Sequence, residues 1–124
     1  MTRRTHQEQE SAASERRKFE RVDIAPTSQV FVSEAKGKKV GVLRQIGRGG
    51  FMMEPEKPYS KDNKTHKLAI HEPSESIQVE IQARVLYVHS QLVGFEFVDL
   101  DANAAVEVGI IIGKYYEQQK KQHP

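Results

Sequence analysis

Two arginines four residues apart, Arg17 and Arg21, with Arg16 directly before the first, open the part of the chain that has chemistry to offer. A guanidinium carries a rigid fork of donors. It grips an oxyanion, or two adjacent acceptors, through parallel hydrogen bonds, and its plane stacks on aromatic rings. Further along, Gln45, Gly47 and Gly50 lie in the run LRQIGRGGFMME. Glycines at such a turn let backbone N–H groups approach a bound group closely, and the Gln45 amide offers both donor and acceptor. The plainer alternative is that Arg17 and Arg21 are solvated charges paired with Glu15, Glu20 or Asp23, an arrangement that contributes little energy. Arg16, Arg17, Lys18 and Arg21 face three nearby acids, so this segment keeps one net positive charge. Any anion held here is captured by geometry rather than by bulk charge.

Other chemistries find little support. Glu54, Glu56 and Glu80 are not grouped with a base or nucleophile, so no catalytic site is expected and the chain does not read as an enzyme. The five histidines show no metal-ligand spacing. With no cysteine there is neither a disulfide framework nor a thiolate site, which suits a reducing cytoplasm. Gly47 to Gly50 is not a nucleotide-triphosphatase loop, because no Lys-Ser/Thr follows it. A formal net charge of +2 argues against duplex nucleic acid as a partner. The N-terminus has no apolar segment for a secretory signal, and the longest apolar stretch, Val108 to Ile112, falls far short of the ~20 residues of a membrane span.

The elements that must position these residues fit one domain of 124 residues. Residues 1–14 are polar and aperiodic and are expected to be a disordered tail, with order from 15 to 117 and a polar C-terminal tail over 118–124. From Gln29 the pattern is β-like: QVFVS and VGVLRQI flank a turn at Gly37, and FMME follows the glycines. Pro55 and Pro58 then open a polar loop. A strand is expected near Lys67 to His71. Ile77, Val79, Ile81, Ala83, Val85 and Tyr87 alternate with polar residues in a long strand, and Ser90 and Gln91 turn it into LVGFEFV. There Gly94 leaves room for a close neighbour. Asp101 is a candidate N-cap for a helix carrying Ala105, Val108, Ile112 and Tyr115 on one face, although three consecutive isoleucines between glycines also suit extended chain. The fold class is therefore all-β: a six-stranded antiparallel barrel with a C-terminal α-helix.

ERRKFERVDI and LRQIGRGGFMME together resemble the PilZ domain family. In that family an Arg-x-x-x-Arg pair in an N-terminal arm and an Asp or Asn, x, Ser, x, x, Gly motif after the second strand enclose cyclic di-GMP. Arg17 and Arg21 match the first motif. Gln45, Gly47 and Gly50 occupy the places of the second, of which only the last glycine is kept. QARVLYV followed by LVGFEFVDLD resembles the family's closing hairpin and the start of its helix, so the likeness runs from about Arg16 to Tyr116.

The resemblance implies a cyclic dinucleotide as ligand, held by Arg16, Arg17, Arg21, Gln45, Gly47 and Gly50. Its phosphodiesters and the O6 and N7 edges of its guanines are what guanidinium forks recognise. Arg16 fits either a third contact to a stacked ligand dimer or a tail charge. The arm is the expected moving part, ordered by ligand and then read by a downstream protein. Losing the motif's hydroxyl and part of a stronger contact costs about 2–4 kcal/mol. Hence the first alternative is a PilZ-like protein-interaction module that has lost the nucleotide. A weaker one is a nucleic-acid binder using Lys36, Lys38 and Lys39.

Overall fold

The structure, a computed structural model, describes residues 21–35, 37–89 and 91–122. Arg16, Arg17, Lys36 and the expected tail over 1–14 lie outside the described residues. Seven strands are present among the described residues: β1 (Val22–Asp23), β2 (Phe31–Glu34), β3 (Lys39–Ile46), β4 (Gly50–Pro55), β5 (Thr65–Glu72), β6 (Ile77–His89) and β7 (Leu92–Phe97), followed by helix α1 (Ala102–Gln122). Every pairing is antiparallel. The sheet runs β1-β3-β2-β5-β6-β7-β4, and pairing of β4 back onto β3 closes six strands into a barrel. The expected six-stranded barrel is thus found, with β1 as an added seventh strand laid on β3. Two residues with no run of alternation, Val22 and Asp23, carry no strand signal of their own; pairing with Ile46 and Gln45 makes them one.

Alternation sets the core. Val79, Ile81, Ala83 and Val85 of β6 point inward, facing Leu43, Ile46, Phe51, Met53, Ile70, Val93 and Phe95. Each such side chain removed from water contributes about 1.5–3 kcal/mol before entropy is counted. Phe51 and Phe95 stack at 4.8 Å between ring centroids. Met53 belongs to this core, whereas Met52 faces outward and is half-buried.

The C-terminal segment is helical despite its isoleucine run, because packing outweighs intrinsic propensity. Asp101 caps it, its carboxylate accepting from the Ala104 N–H at 2.8 Å. The buried face is Ala104, Val108, Ile111, Ile112 and Tyr115. Ala105, expected on this face, is exposed, since Ala104 rather than Ala105 falls in register with Val108 and Ile111 at helical spacing. The helix continues to Gln122, through the segment read as a polar tail.

Of three β-bulges among the described strands, one sets Val40 between the β2 pairings of Gly41 and Lys39, and two break the alternation where the sequence gives no warning. In β3, Leu43 pairs with Met53 but Gln45 with Met52, so Arg44 is an extra residue. In β6, Val85 pairs with Phe95 but Tyr87 with Gly94, so Leu86 is extra. Each extra residue shifts the inward face by one position. After the first bulge Ile46 is buried and Gln45 faces out; after the second, Tyr87 leaves the inward face it was expected to share.

Candidate functional site

The bulges at Arg44 and Leu86 border the same place. Arg21, Gln45, Gly47, Arg48, Gly49, Gly50 and Met52 line an open hollow of about 500 Å³ with Leu86, Tyr87 and Glu96. The β1–β3 register puts Val22 opposite Ile46, so Arg21 comes level with Gly47 and its exposed side chain reaches the glycine turn. Of the six residues expected at the site, the structure brings Arg21, Gln45, Gly47 and Gly50 together; Arg16 and Arg17 are outside the described residues.

Gln45 is half-buried and already engaged. Its side-chain amide donates to the Asp23 carboxylate at 3.1 Å, while the Asp23 N–H donates to the Gln119 side-chain oxygen of α1 at 3.1 Å. The residue at this motif position is therefore tied to both the arm and the helix.

The glycines differ from one another. The Gly47 N–H donates to the Gly50 carbonyl at 2.9 Å, so that donor serves the turn and not a ligand. Phe97 N–H donates to the Gly49 carbonyl at 2.9 Å, pinning the turn to β7. A Cβ on Gly50 would run into the Phe95 carbonyl oxygen and lie 3.0 Å from Glu96 Cα, whereas one on Gly49 would meet nothing within 4 Å. Gly50 is thus required by the crossing of β4 on β7, whatever else it does.

Sequence reasoning missed Arg48, Leu86 and Tyr87 as lining residues. Arg48 stands in the glycine run itself and was legible there. Leu86 and Tyr87 were not, because a bulge leaves no periodic trace in one strand alone. The Tyr87 ring lies over Gly94, which explains the glycine as the expected space for a close neighbour, and its hydroxyl donates to Met52 Sδ at 3.0 Å. Leu86 and Tyr87 remain 44% and 38% exposed, an apolar wall beside two guanidiniums. Glu96, the acid of this wall, is held by Arg84 at 2.6 and 2.9 Å. The hollow therefore offers cationic forks, an amide and flat apolar surface, a combination suited to an anion that carries aromatic bases.

Elsewhere polar groups serve the fold. The His71 ring stacks on Phe31 at 4.3 Å and shares a 2.7 Å hydrogen bond with Ser33, and burial pushes its pKa down. Among the described residues no three His, Cys, Asp or Glu side chains are grouped to hold a metal, and no helix is long and apolar enough to cross a membrane.

The PilZ domain family model matches residues 15–111. No curated protein matches the sequence. Among solved structures, the fold is similar to the PilZ domain with c-di-GMP of YcgR from Escherichia coli, with a TM-score of 0.68 and 10% identity over 82% of this chain and 92% of that one. It is similar to the Bacillus subtilis inhibitor of motility MotI/DgrA, with a TM-score of 0.62 and 17% identity over 84% of this chain and 51% of that one. The PilZ domain of CeSA from a cellulose-synthesizing bacterium gives a TM-score of 0.51 and 18% identity over 68% of this chain and 88% of that one.

Proposed function

Because the chain belongs to the PilZ domain family, we propose that it binds a cyclic dinucleotide, cyclic di-GMP, at the glycine-turn hollow and relays its occupancy to a protein partner. The observation that carries this reading is the convergence of Arg21, Gln45, Arg48 and the Gly47–Gly50 turn on one open volume of about 500 Å³, within the range of ~300–1,000 Å³ typical of small-molecule sites. Arg17 and Arg21 would fork onto phosphate and guanine acceptors, Gln45 would meet a guanine edge, and Leu86 and Tyr87 would shield a base face. Arg16 would add a third cation for a stacked pair of ligands. The role is one of binding in the cytoplasm, not catalysis.

Relay has a physical route. Asp23 contacts Gln45 on one side and Gln119 of α1 on the other, so a ligand that draws Gln45 away from Asp23 perturbs the link between arm and helix. The downstream protein would read that change, on β1 or along α1.

One observation favours a second reading, a protein-interaction module without nucleotide. Gly47 has no hydroxyl, and one N–H of the Gln45 amide is already committed to Asp23, which fixes the direction in which the rest of that amide can serve a ligand. Thermal unfolding with and without cyclic di-GMP separates the two. At 100 times a micromolar dissociation constant, binding stabilises the fold by about 2.7 kcal/mol, a rise of several degrees in midpoint. An unmoved midpoint would favour the interaction module.

A further inference from the structure

Helix α1 turns Ala104, Val108, Ile111, Ile112 and Tyr115 to the barrel, and a surface helix of this kind ordinarily turns charged residues to water. Its outer face does not. At ~100° per residue, the positions opposite the buried stripe are Ala102, Val106, Gly109, Ile110, Gly113 and Glu117. Val106 and Ile110 are 62% and 48% exposed, the highest values for large apolar side chains among the described residues. Nothing inside the chain asks for the two glycines beside them. Neither has a left-handed backbone, a Cβ on either would meet nothing within 4 Å, and both weaken the helix relative to alanine. A face that carries apolar side chains next to bare backbone, and buries neither in its own chain, fits a helix that approaches closely from outside.

We propose that this face pairs with the same face of a second copy of the chain, the two α1 helices running antiparallel about a two-fold axis at Gly109 and Ile110. The face is self-complementary, as a two-fold contact between identical chains requires. With the axis at that point, positions equally far from it on either side meet. Val106 comes opposite Gly113 of the second copy, a side chain against the gap left by a missing one, and symmetry makes the contact twice. Glu117 comes level with Ala102 of the second copy, where the first helical turn has no acidic residue to offset the positive end of the dipole. Lys120 comes level with Asp99, an exposed acid in the turn before α1. Asp99, Glu117 and Lys120 form no ion pair among the described residues, so all three are available to a second chain. A parallel pair would set Glu117 against Glu117 and Lys120 against Lys120; charge therefore selects the antiparallel one. From Ala102 to Glu117 the contact spans about 24 Å of helix at ~1.5 Å per residue. That is small for a specific interface, so pairing is reversible, with a dissociation constant on the order of 100 µM. An anionic membrane suits the face less well, because Glu117 stands on it and only two large apolar side chains do.

Sedimentation equilibrium of the whole chain without cyclic dinucleotide, from about 10 µM to about 1 mM, reads the pairing independently of the glycine-turn hollow. The average mass is expected to rise from 14.1 kDa toward twice that value. Ile110→Glu should weaken pairing at least tenfold with an unchanged thermal midpoint, because the side chain it replaces is exposed. Gly113→Leu separates pairing from helix stability: leucine is the better helix former, so the midpoint should hold or rise while pairing again weakens at least tenfold. Register is read with cysteine, which the chain otherwise lacks. In the antiparallel pair the two copies of residue 106 lie about 10 Å apart along the helices, too far for a disulfide. Val106→Cys and Gly113→Cys chains, mixed in equal amounts and gently oxidised, should therefore form the mixed disulfide well above the roughly one half that random pairing gives. A mass fixed at 14.1 kDa up to about 1 mM, with or without binding to anionic vesicles in place of pairing, would overturn the proposal. Pairing untouched by Ile110→Glu or Gly113→Leu, or a mixed disulfide at or below the random share, would do the same.

Discussion

Glu72 and Gln45 are both polar residues near the ends of strands, yet one is sealed and the other poised. The Glu72 carboxylate is fully buried and accepts from Tyr115 at 2.7 Å, Ser74 at 2.6 Å, the Glu75 N–H at 2.7 Å and Lys114 at 3.3 Å. Lys114 also bonds Ser74, closing the cluster. Gln45 is half-exposed and has Asp23 as its hydrogen-bond partner at 3.1 Å. The first arrangement latches α1 onto the barrel with every lone pair occupied; the second leaves capacity for something that arrives later. Buried polar groups with a full complement of donors hold folds together, and exposed ones with spare capacity are available for ligands.

The largest effect that would sharpen this contrast is at Glu72. Glu72→Ala strands the Tyr115 hydroxyl and the Lys114 ammonium, and should cost about 3–5 kcal/mol, a fall of more than ~10 °C in thermal midpoint. Burial pushes the Glu72 pKa up, but hydrogen bonds from Ser74, Tyr115, Lys114 and the Glu75 N–H together carry it below its ordinary value of 4.5. A carboxyl with a depressed folded pKa contributes stability that is full above its unfolded pKa and is lost as pH falls through the folded one. Unfolding followed below pH ~4.5 should therefore show a steeper acid loss in wild type than in Glu72→Gln. Equal slopes would mean that the latch is not charged.

Next in size is the glycine turn, where one residue serves the barrel and its neighbour does not. Gly50→Ala forces β4 off the Phe95 carbonyl and should cost about 1–3 kcal/mol, while Gly49→Ala should stay within ~0.5 kcal/mol. Denaturant midpoints of the two variants decide it. Similar losses would show that the whole turn, and not the β4–β7 crossing, sets the demand for glycine.

The barrel strands were legible because their side chains alternate, and the helix start because Asp101 stands before a helical period. The hollow was half legible: Arg21, Gln45, Gly47 and Gly50 carry a motif, while Leu86 and Tyr87 enter it only through a bulge, which is a property of two paired strands. Glu72 carries no signal of its own in LAIHEPSES, since its burial depends on Tyr115, a residue 43 positions away. Gly50 resembled a ligand residue, and its contact with β7 needed the closed barrel to be seen. Local pattern reaches neighbours in sequence; contacts made by closure do not leave one.

A smaller effect separates two ways of restoring the motif. Gln45→Asp sets a second carboxylate beside Asp23, whereas Gln45→Asn keeps the amide donor. Among the described glycines only Gly37 has a left-handed backbone, so serine meets no torsional barrier at Gly47. Gln45→Asn with Gly47→Ser should tighten cyclic di-GMP binding about tenfold, ~1.4 kcal/mol, and Gln45→Asp with Gly47→Ser by less. If aspartate gives the larger gain in calorimetric affinity, Asp23 does not govern position 45.

The smallest expected change in stability belongs to Arg21, and it bears on the central claim. Arg21 is exposed, so Arg21→Ala should keep the thermal midpoint within a degree or two, yet it removes charge-assisted contacts worth about 1.5–3 kcal/mol from the complex, a loss of roughly tenfold or more in affinity. Isothermal titration of wild type and Arg21→Ala with cyclic di-GMP measures this directly. A saturable heat in wild type that weakens at least tenfold in a variant of unchanged stability is the expected result; no heat in wild type, or equal affinity in both, would contradict nucleotide recognition at this hollow.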